Sequence, residues 1–216
     1  IKSQQFRWMK GGAENARRLA PVVLASSLRP LTKLHAVAHL FNSSIFLAVL
    51  LLALTSVGLL TLLGPAGIDQ RRLSVSLLGL VGVATVYFYA NLHLLPRPLS
   101  ARRVLALVGW FPLLLTMSVG HSFHNSVAVI EGYLGIRSSF VRTPKYNIVG
   151  NRRLDLDSGR QKNPVSLGTI AEGLLALLFC ACLAVAVSRH EYVFFVFHLM
   201  LAAGFGAVYA ATLRDR

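Results

Sequence analysis

Acidic side chains are scarce in this chain, and the scarcity is one-sided. Of 216 residues, 22 are Lys or Arg and only eight are Asp or Glu, which leaves a net charge of +14. A balance this basic is compatible with nucleic-acid binding. Here, however, the cations flank apolar segments, the pattern of loops retained on the cytosolic side of a membrane, so no nucleic-acid partner is expected. Few acids also leave little from which to build a carboxylate or hard-metal site. Asp155-Leu156-Asp157 spells D-x-D, but it stands among Arg152, Arg153 and Arg160 with no apolar strand before it, and reads as a solvated charge cluster. Cysteine is nearly absent. Cys180 and Cys182 lie within one apolar run, where helical geometry points them to opposite sides, so they make no metal site by themselves and read as small core residues. Internal repeats, low-complexity tracts and a signal-peptide pattern are missing too. The chain begins at Ile1 without Met and reads as a fragment of a longer protein.

Long apolar runs are what the chain does have. It is 55% hydrophobic, with a mean hydropathy of +0.60, a membrane composition. Runs at about residues 40–63, 73–95, 165–187 and 192–213 are each close to the ~20 residues needed to cross a hydrocarbon core at ~1.5 Å per residue. The chain is expected to be an all-α membrane protein with four transmembrane helices, cytosolic interfacial amphipathic helices and one gating loop. The expected divisions are 1–39, basic and amphipathic; 40–95, two transmembrane helices; 96–135, an interfacial or re-entrant helix; 136–163, the gating loop; and 164–216, two transmembrane helices and a short tail.

In the first division Lys2, Arg7, Lys10, Arg17, Arg18, Arg29 and Lys33 meet a single acid, Glu14. Leu19, Val22, Val23, Leu24 and Leu28 are interspersed, and Pro21 and Pro30 are expected to break the run. Such segments lie on an anionic membrane surface. In the third division the apolar run 104–119 is short and carries Pro112. Beyond it Phe123, Val127, Ile130 and Leu134 recur at helical spacing, with Ser118, His121, Ser122 and Asn125 on another face. If this division does not cross, 19 of the 22 basic residues share one side; if it crosses, they divide 11 and 11. The positive-inside rule therefore favours a non-crossing segment and cytosolic termini, in a multi-pass protein of a plasma or inner membrane.

Two short motifs carry the chemistry. Gln4-Gln5-Phe6-Arg7-Trp8 precedes the first long apolar segment. Arg presents a planar fork of donors suited to a diphosphate. Trp offers a flat face on which a sugar ring stacks, and one N–H. Gln donates and accepts. The second motif, Phe140-Val141-Arg142-Thr143-Pro144-Lys145, lies in a polar loop that also carries Arg137, and its hydroxyl and cations suit closure over a phosphate or diphosphate. Glu172 is an acid near the start of an apolar run, and His121 and His124 form an i, i+3 pair read as a polar face.

The first motif resembles the Q-x-x-R-W signature of membrane-bound processive family 2 glycosyltransferases, which include cellulose synthases, cellulose synthase-like enzymes and hyaluronan synthases. The second resembles the F-x-V-T-x-K gating loop of cellulose synthases. Phe140, Thr143 and Lys145 match it, whereas Arg142 replaces the usual Val and Pro144 stiffens the loop. The resemblance covers essentially the whole chain, in the family's order, and looks closest to the cellulose synthase-like glucan or mannan synthases. It implies that Trp8 stacks under the acceptor sugar and that Gln4 and Arg7 contact the nucleotide diphosphate. It also implies that Thr143 and Lys145 reach the nucleotide on loop closure, with Phe140 as the loop's anchor. The implied reaction is inverting hexosyl transfer from a UDP- or GDP-sugar to a β-linked polysaccharide, which is extruded through the membrane part. The implied partners are the nucleotide-sugar, the nascent polysaccharide, the lipid bilayer and the protein's own N-terminal catalytic domain. No catalytic residue and no metal ligand are expected in this chain; the base, the D-x-D and a divalent cation, Mg or Mn, belong to the missing catalytic domain. Two other readings stand beside this one. The chain could serve a lipid-acceptor, ceramide-type glycosyltransferase, or be a non-enzymatic four-helix membrane subunit.

Overall fold

A computed structural model describes residues 2–66, 77–94, 100–137, 165–190 and 192–214. Among the described residues every regular element is helical. In chain order these are α1 (Lys2–Ala25), α2 (Pro30–Leu40), a 3-10 turn (Asn42–Ser44), α3 (Ile45–Ala66), α4 (Leu77–Leu94), α5 (Ala101–Gly120), α6 (Ser122–Leu134), α7 (Leu167–Ser188) and α8 (Tyr192–Arg214). Phe140, Thr143 and Lys145, together with Asp155 and Asp157, lie outside the described residues.

The expected all-α membrane architecture is observed. Among the described residues four helices are long and apolar enough to cross a bilayer: Asn42–Leu62, Ala101–Gly120, Leu167–Ser188 and Phe194–Arg214. One member of the set differs from expectation. The stretch 96–135, expected as one interfacial or re-entrant helix, is described as two helices, a membrane-length α5 and the amphipathic α6. Pro112 lies inside α5 without ending it, as membrane segments tolerate when neighbours satisfy the freed carbonyl. The second apolar run is described as α4 over 18 residues, about 27 Å of helix. Pro21 likewise sits inside α1 rather than breaking it. Pro30 does open a new helix, at the first position of α2, where its missing N–H costs nothing.

The chain forms two compact units. The first comprises Ile1–Leu50, His121–Ala171 and Tyr209–Arg216. Within it α1 and α6 pack side by side. Ala13 and Ala16 are fully buried and Ala20 nearly so, and a side chain at Gly132 would collide with the Lys10 carbonyl and the Ala13 methyl. Small residues on both helices thus set the close approach. The 3-10 turn joins this packing through a hydroxyl–hydroxyl hydrogen bond between Ser44 and Tyr133, and the Phe41 ring lies 5.9 Å from that of Tyr133. Helix α6 ends at Gly135 in a left-handed conformation, φ 71°. Its N–H reaches the Gly132 carbonyl at 3.2 Å and that of Ile136 reaches Glu131 at 2.9 Å, a glycine C-cap that satisfies the last carbonyls. This unit also holds the first residues of α3, the residue that follows α5, the first turn of α7 and the last turn of α8. Three of the membrane-length helices, α3, α7 and α8, therefore have one end in the unit that contains α1 and α6, while α5 lies wholly in the second unit and leads into α6.

The second unit comprises Leu51–Gly120 and Glu172–Val208. Phe179 and Phe205 stack with centroids 5.8 Å apart, and the fully buried His198 lies between Phe179 and Phe194, at 5.9 and 5.7 Å. Its Nε2 pairs with the Ser56 hydroxyl at 3.0 Å. Hydrogen bonds and ring packing of this kind hold helices together where lipid removes the hydrophobic incentive. Helices α5 and α8 touch backbone to backbone: a side chain at Gly120 would run into Gly204, and one at Gly204 into the Thr116 carbonyl. Tyr87 of α4 donates to the Leu107 carbonyl of α5 at 3.2 Å. Near the end of α3, Pro65 has no N–H to give to the Thr61 carbonyl. Arg189 supplies donors there instead, at 3.0 Å to the Leu60 carbonyl and 3.4 Å to that of Thr61.

Candidate functional site: an open polar face on the first helix

Helix α1 has two faces with different fates. Phe6, Lys10, Ala13 and Arg17, spaced i, i+4, i+7, i+11, form the face that meets α6. The Phe6 ring lies 5.0 Å from that of His124, and Lys10 Nζ meets Glu131 Oε2 at 2.8 Å. Ala13 abuts Gly132, and Arg17 lies against Gly135. The two helices run parallel. At 100° per residue, Gln4, Trp8, Gly11 and Asn15 then share a face roughly opposite, with Arg7 and Arg18 on its flank. The Gln-x-x-Arg-Trp residues are thus brought together on a single surface, away from α6. Trp8 is 62% exposed there, Gln4 and Arg7 are half-buried, and nothing lies within 4 Å of where a Gly11 side chain would stand. A large exposed aromatic beside a guanidinium and an amide, on the polar side of a well-packed helix, contributes nothing to the core. It can stack a flat ring and hold an anion.

Helix α6 packs with its polarity reversed. Ser122, Asn125 and Ser126 are buried, and Asn125 Nδ2 donates to Gln5 Oε1 at the long distance of 3.5 Å. The apolar stripe seen in the sequence is turned outward, with Val127, Ile130 and Leu134 exposed. In water that arrangement would be unfavourable; against lipid, exposed apolar side chains cost nothing. His124 is mostly enclosed. Burial first, and then the neighbouring Lys2 ammonium, push its pKa from 6.5 down to about 4, so the ring is neutral at physiological pH. The end of α8 joins the same unit through Lys2 Nζ, which donates to the Thr212 hydroxyl at 3.3 Å.

The remaining sequence candidates separate. Phe140, Thr143 and Lys145 fall outside the described residues, so the second motif is not part of this geometry. Glu172 is fully buried in the second turn of α7. Cys182 is buried as expected of a core residue, whereas Cys180, on the opposite side of the helix, is exposed and not part of the core. Sequence reasoning passed over His35 and His39, one turn apart on α2, a pair visible from their spacing alone. Among the described residues no three His, Cys, Asp or Glu side chains gather into a metal site. Comparison of the chain with protein-family models, with characterised proteins and with solved structures finds no match.

Proposed function

We propose that this chain is the membrane and channel part of a processive glycosyltransferase that elongates a β-linked polysaccharide and passes it across the bilayer. The observation that carries the reading is the open face of α1, where Gln4, Arg7 and Trp8 stand together and Trp8 is exposed without a packing role. In this reading Trp8 stacks under the acceptor sugar. Arg7 and Gln4 hold the diphosphate of the UDP- or GDP-sugar, where developing negative charge needs a fixed donor. The acceptor hydroxyl attacks the anomeric carbon as the bond to the diphosphate breaks. The nucleoside diphosphate leaves, and the hydroxyl proton passes to a base in a catalytic domain outside these residues. That domain would also supply the acidic ligands for a divalent cation. Thr143, Lys145 and Phe140 act as the loop that closes over the nucleotide.

The first unit, with α1 and α6, belongs on the cytosolic side in this reading, and both termini with it. Since α3 starts there and the chain re-enters the unit directly after α5, the segment between these helices begins and ends on the far side. In this reading α5 crosses and α4 makes no net crossing, unlike the division expected from the sequence. Arg71, Arg72, Arg97, Arg102, Arg103 and Arg189 then lie outside, six of 22 basic residues, still a strong inside bias.

In the complete enzyme, Trp8→Ala is expected to abolish polymer synthesis from radiolabelled nucleotide-sugar, with Trp8→Tyr retaining part of it. Unchanged synthesis in Trp8→Ala rejects the reading. A glycolipid product in place of polymer points instead to a lipid acceptor.

A further inference from the structure

A second feature of the first unit lies apart from the residues of the proposed sugar-transfer site. Where α1 turns into α2, Leu24, Leu28, Pro30, Leu34 and Val37 line an apolar cleft of about 350 Å³, and Lys33 completes the lining. The leucines are open to the surroundings: Leu24, Leu28 and Leu34 are each about half exposed or more. Lys33 Nζ donates to the Leu24 carbonyl at 2.7 Å. That bond fixes the ammonium at the lip of the cleft and leaves two of its three N–H donors for another acceptor. Arg29, exposed at the N-cap of α2, stands one turn from Lys33. No Asp or Glu occurs anywhere between Glu14 and Asp69 to neutralise the pair.

The cleft lies close along the chain to a membrane-length helix. Helix α2 ends at Leu40 and the membrane-length segment begins at Asn42, so Val37 is five residues from the start of a crossing helix. A leucine-lined cleft with two cations at its mouth thus stands where phospholipid headgroups meet their chains. We propose that this cleft seats one anionic phospholipid of the same leaflet, an acyl chain lying along Leu24, Leu28 and Leu34 and the phosphate held between Lys33 and Arg29. Two cations beside an anionic headgroup favour it over a zwitterionic one by about fivefold each in an open geometry. Because Lys33 already shares one proton with Leu24, the expected overall preference is about fivefold or somewhat more.

The test uses the full chain in vesicles of equal dioleoylphosphatidylglycerol and dioleoylphosphatidylcholine, whose acyl chains are identical. A photoreactive benzoylphenylalanine replaces Leu34 in the cleft or, as control, Val22, which is exposed on α1 outside it. Mass spectrometry of the irradiated protein should find phosphatidylglycerol over phosphatidylcholine by about fivefold at position 34 and near parity at position 22. Arg29→Gln with Lys33→Gln should bring position 34 to the ratio of position 22 while total lipid capture at position 22 stays unchanged, which shows that the helix is still seated. Equal ratios at the two positions, absence of lipid at position 34, or capture of a second copy of the chain there overturns the proposal.

Discussion

Lys10 and Glu131 close an ion pair of 2.8 Å between α1 and α6, and the lysine side chain is only 7% exposed while the glutamate is 27% exposed. The pair is therefore asymmetric. Removing the carboxylate takes the counter-charge from a buried ammonium, whereas removing the ammonium leaves a carboxylate that water can still reach. Glu131→Gln is expected to cost about 2–3 kcal/mol and Lys10→Met less, on the order of 1 kcal/mol. Thermal unfolding of the detergent-solubilised protein gives the order; equal losses would show that the pair is solvated on both sides.

The contact of α5 with α8 predicts a contrast within one helix. Gly120 lies against the Gly204 backbone, whereas nothing lies within 4 Å of a side chain at Gly109. Gly120→Ala and Gly204→Ala should each lower the melting midpoint, at about 1–3 kcal/mol of overpacking. Gly109→Ala should leave it unchanged or raise it, because alanine is the better helix former. Differential scanning fluorimetry distinguishes the two outcomes.

Membrane topology is tested at two exposed serines. Ser3 lies on α1 and Ser100 directly before α5. With a membrane-impermeant maleimide on intact cells, Ser100→Cys is expected to react and Ser3→Cys to react only after permeabilisation. Protection of Ser100→Cys in intact cells would return α5 to the cytosolic surface, as the charge count alone had suggested.

His124 makes stability depend on pH. Its folded-state pKa, about 4, lies below the ordinary 6.5, with Lys2 and His121 as the charged or titratable neighbours that oppose protonation. Above pH 6.5 neither state carries the proton and stability is whole. Between 6.5 and about 4 the unfolded chain takes a proton that the folded chain refuses, so stability falls as pH falls, by an amount of order 1–3 kcal/mol. Below about 4 this loss levels off. His124→Asn should flatten that slope in a melting series across pH 4 to 7; an unaltered slope assigns it to other groups.

Much of this was legible in the residues. The apolar runs at 40–63, 165–187 and 192–213 became helices with nearly those limits, because a 20-residue run of Leu, Val, Ala and Phe has no other way to satisfy its backbone in lipid. Pro30 marked a helix start, and the spacing of Phe123, Val127, Ile130 and Leu134 marked an amphipathic helix. The direction of that helix was not legible. Periodicity separates two faces, but it does not say whether the partner is water or lipid, and the structure turns Ser122, Asn125 and Ser126 inward. Pro21 and Pro112 misled for a related reason: a missing N–H breaks a helix only where nothing else satisfies the carbonyl.

The amino-acid order alone determined that this chain is helical, membrane-seated and strongly basic, and that a Gln, an Arg and a Trp stand within five residues of one another. Those properties follow from local composition and from the fixed pitch of the helix. Only the tertiary structure decided which side of α1 is spent on packing and which is left open. That choice rests on Ala13, Ala16 and Gly132, small enough to bring two backbones together, and on Lys10 finding Glu131 across 121 residues of chain. No local pattern encodes such a meeting, because its energy exists only once both helices are in place.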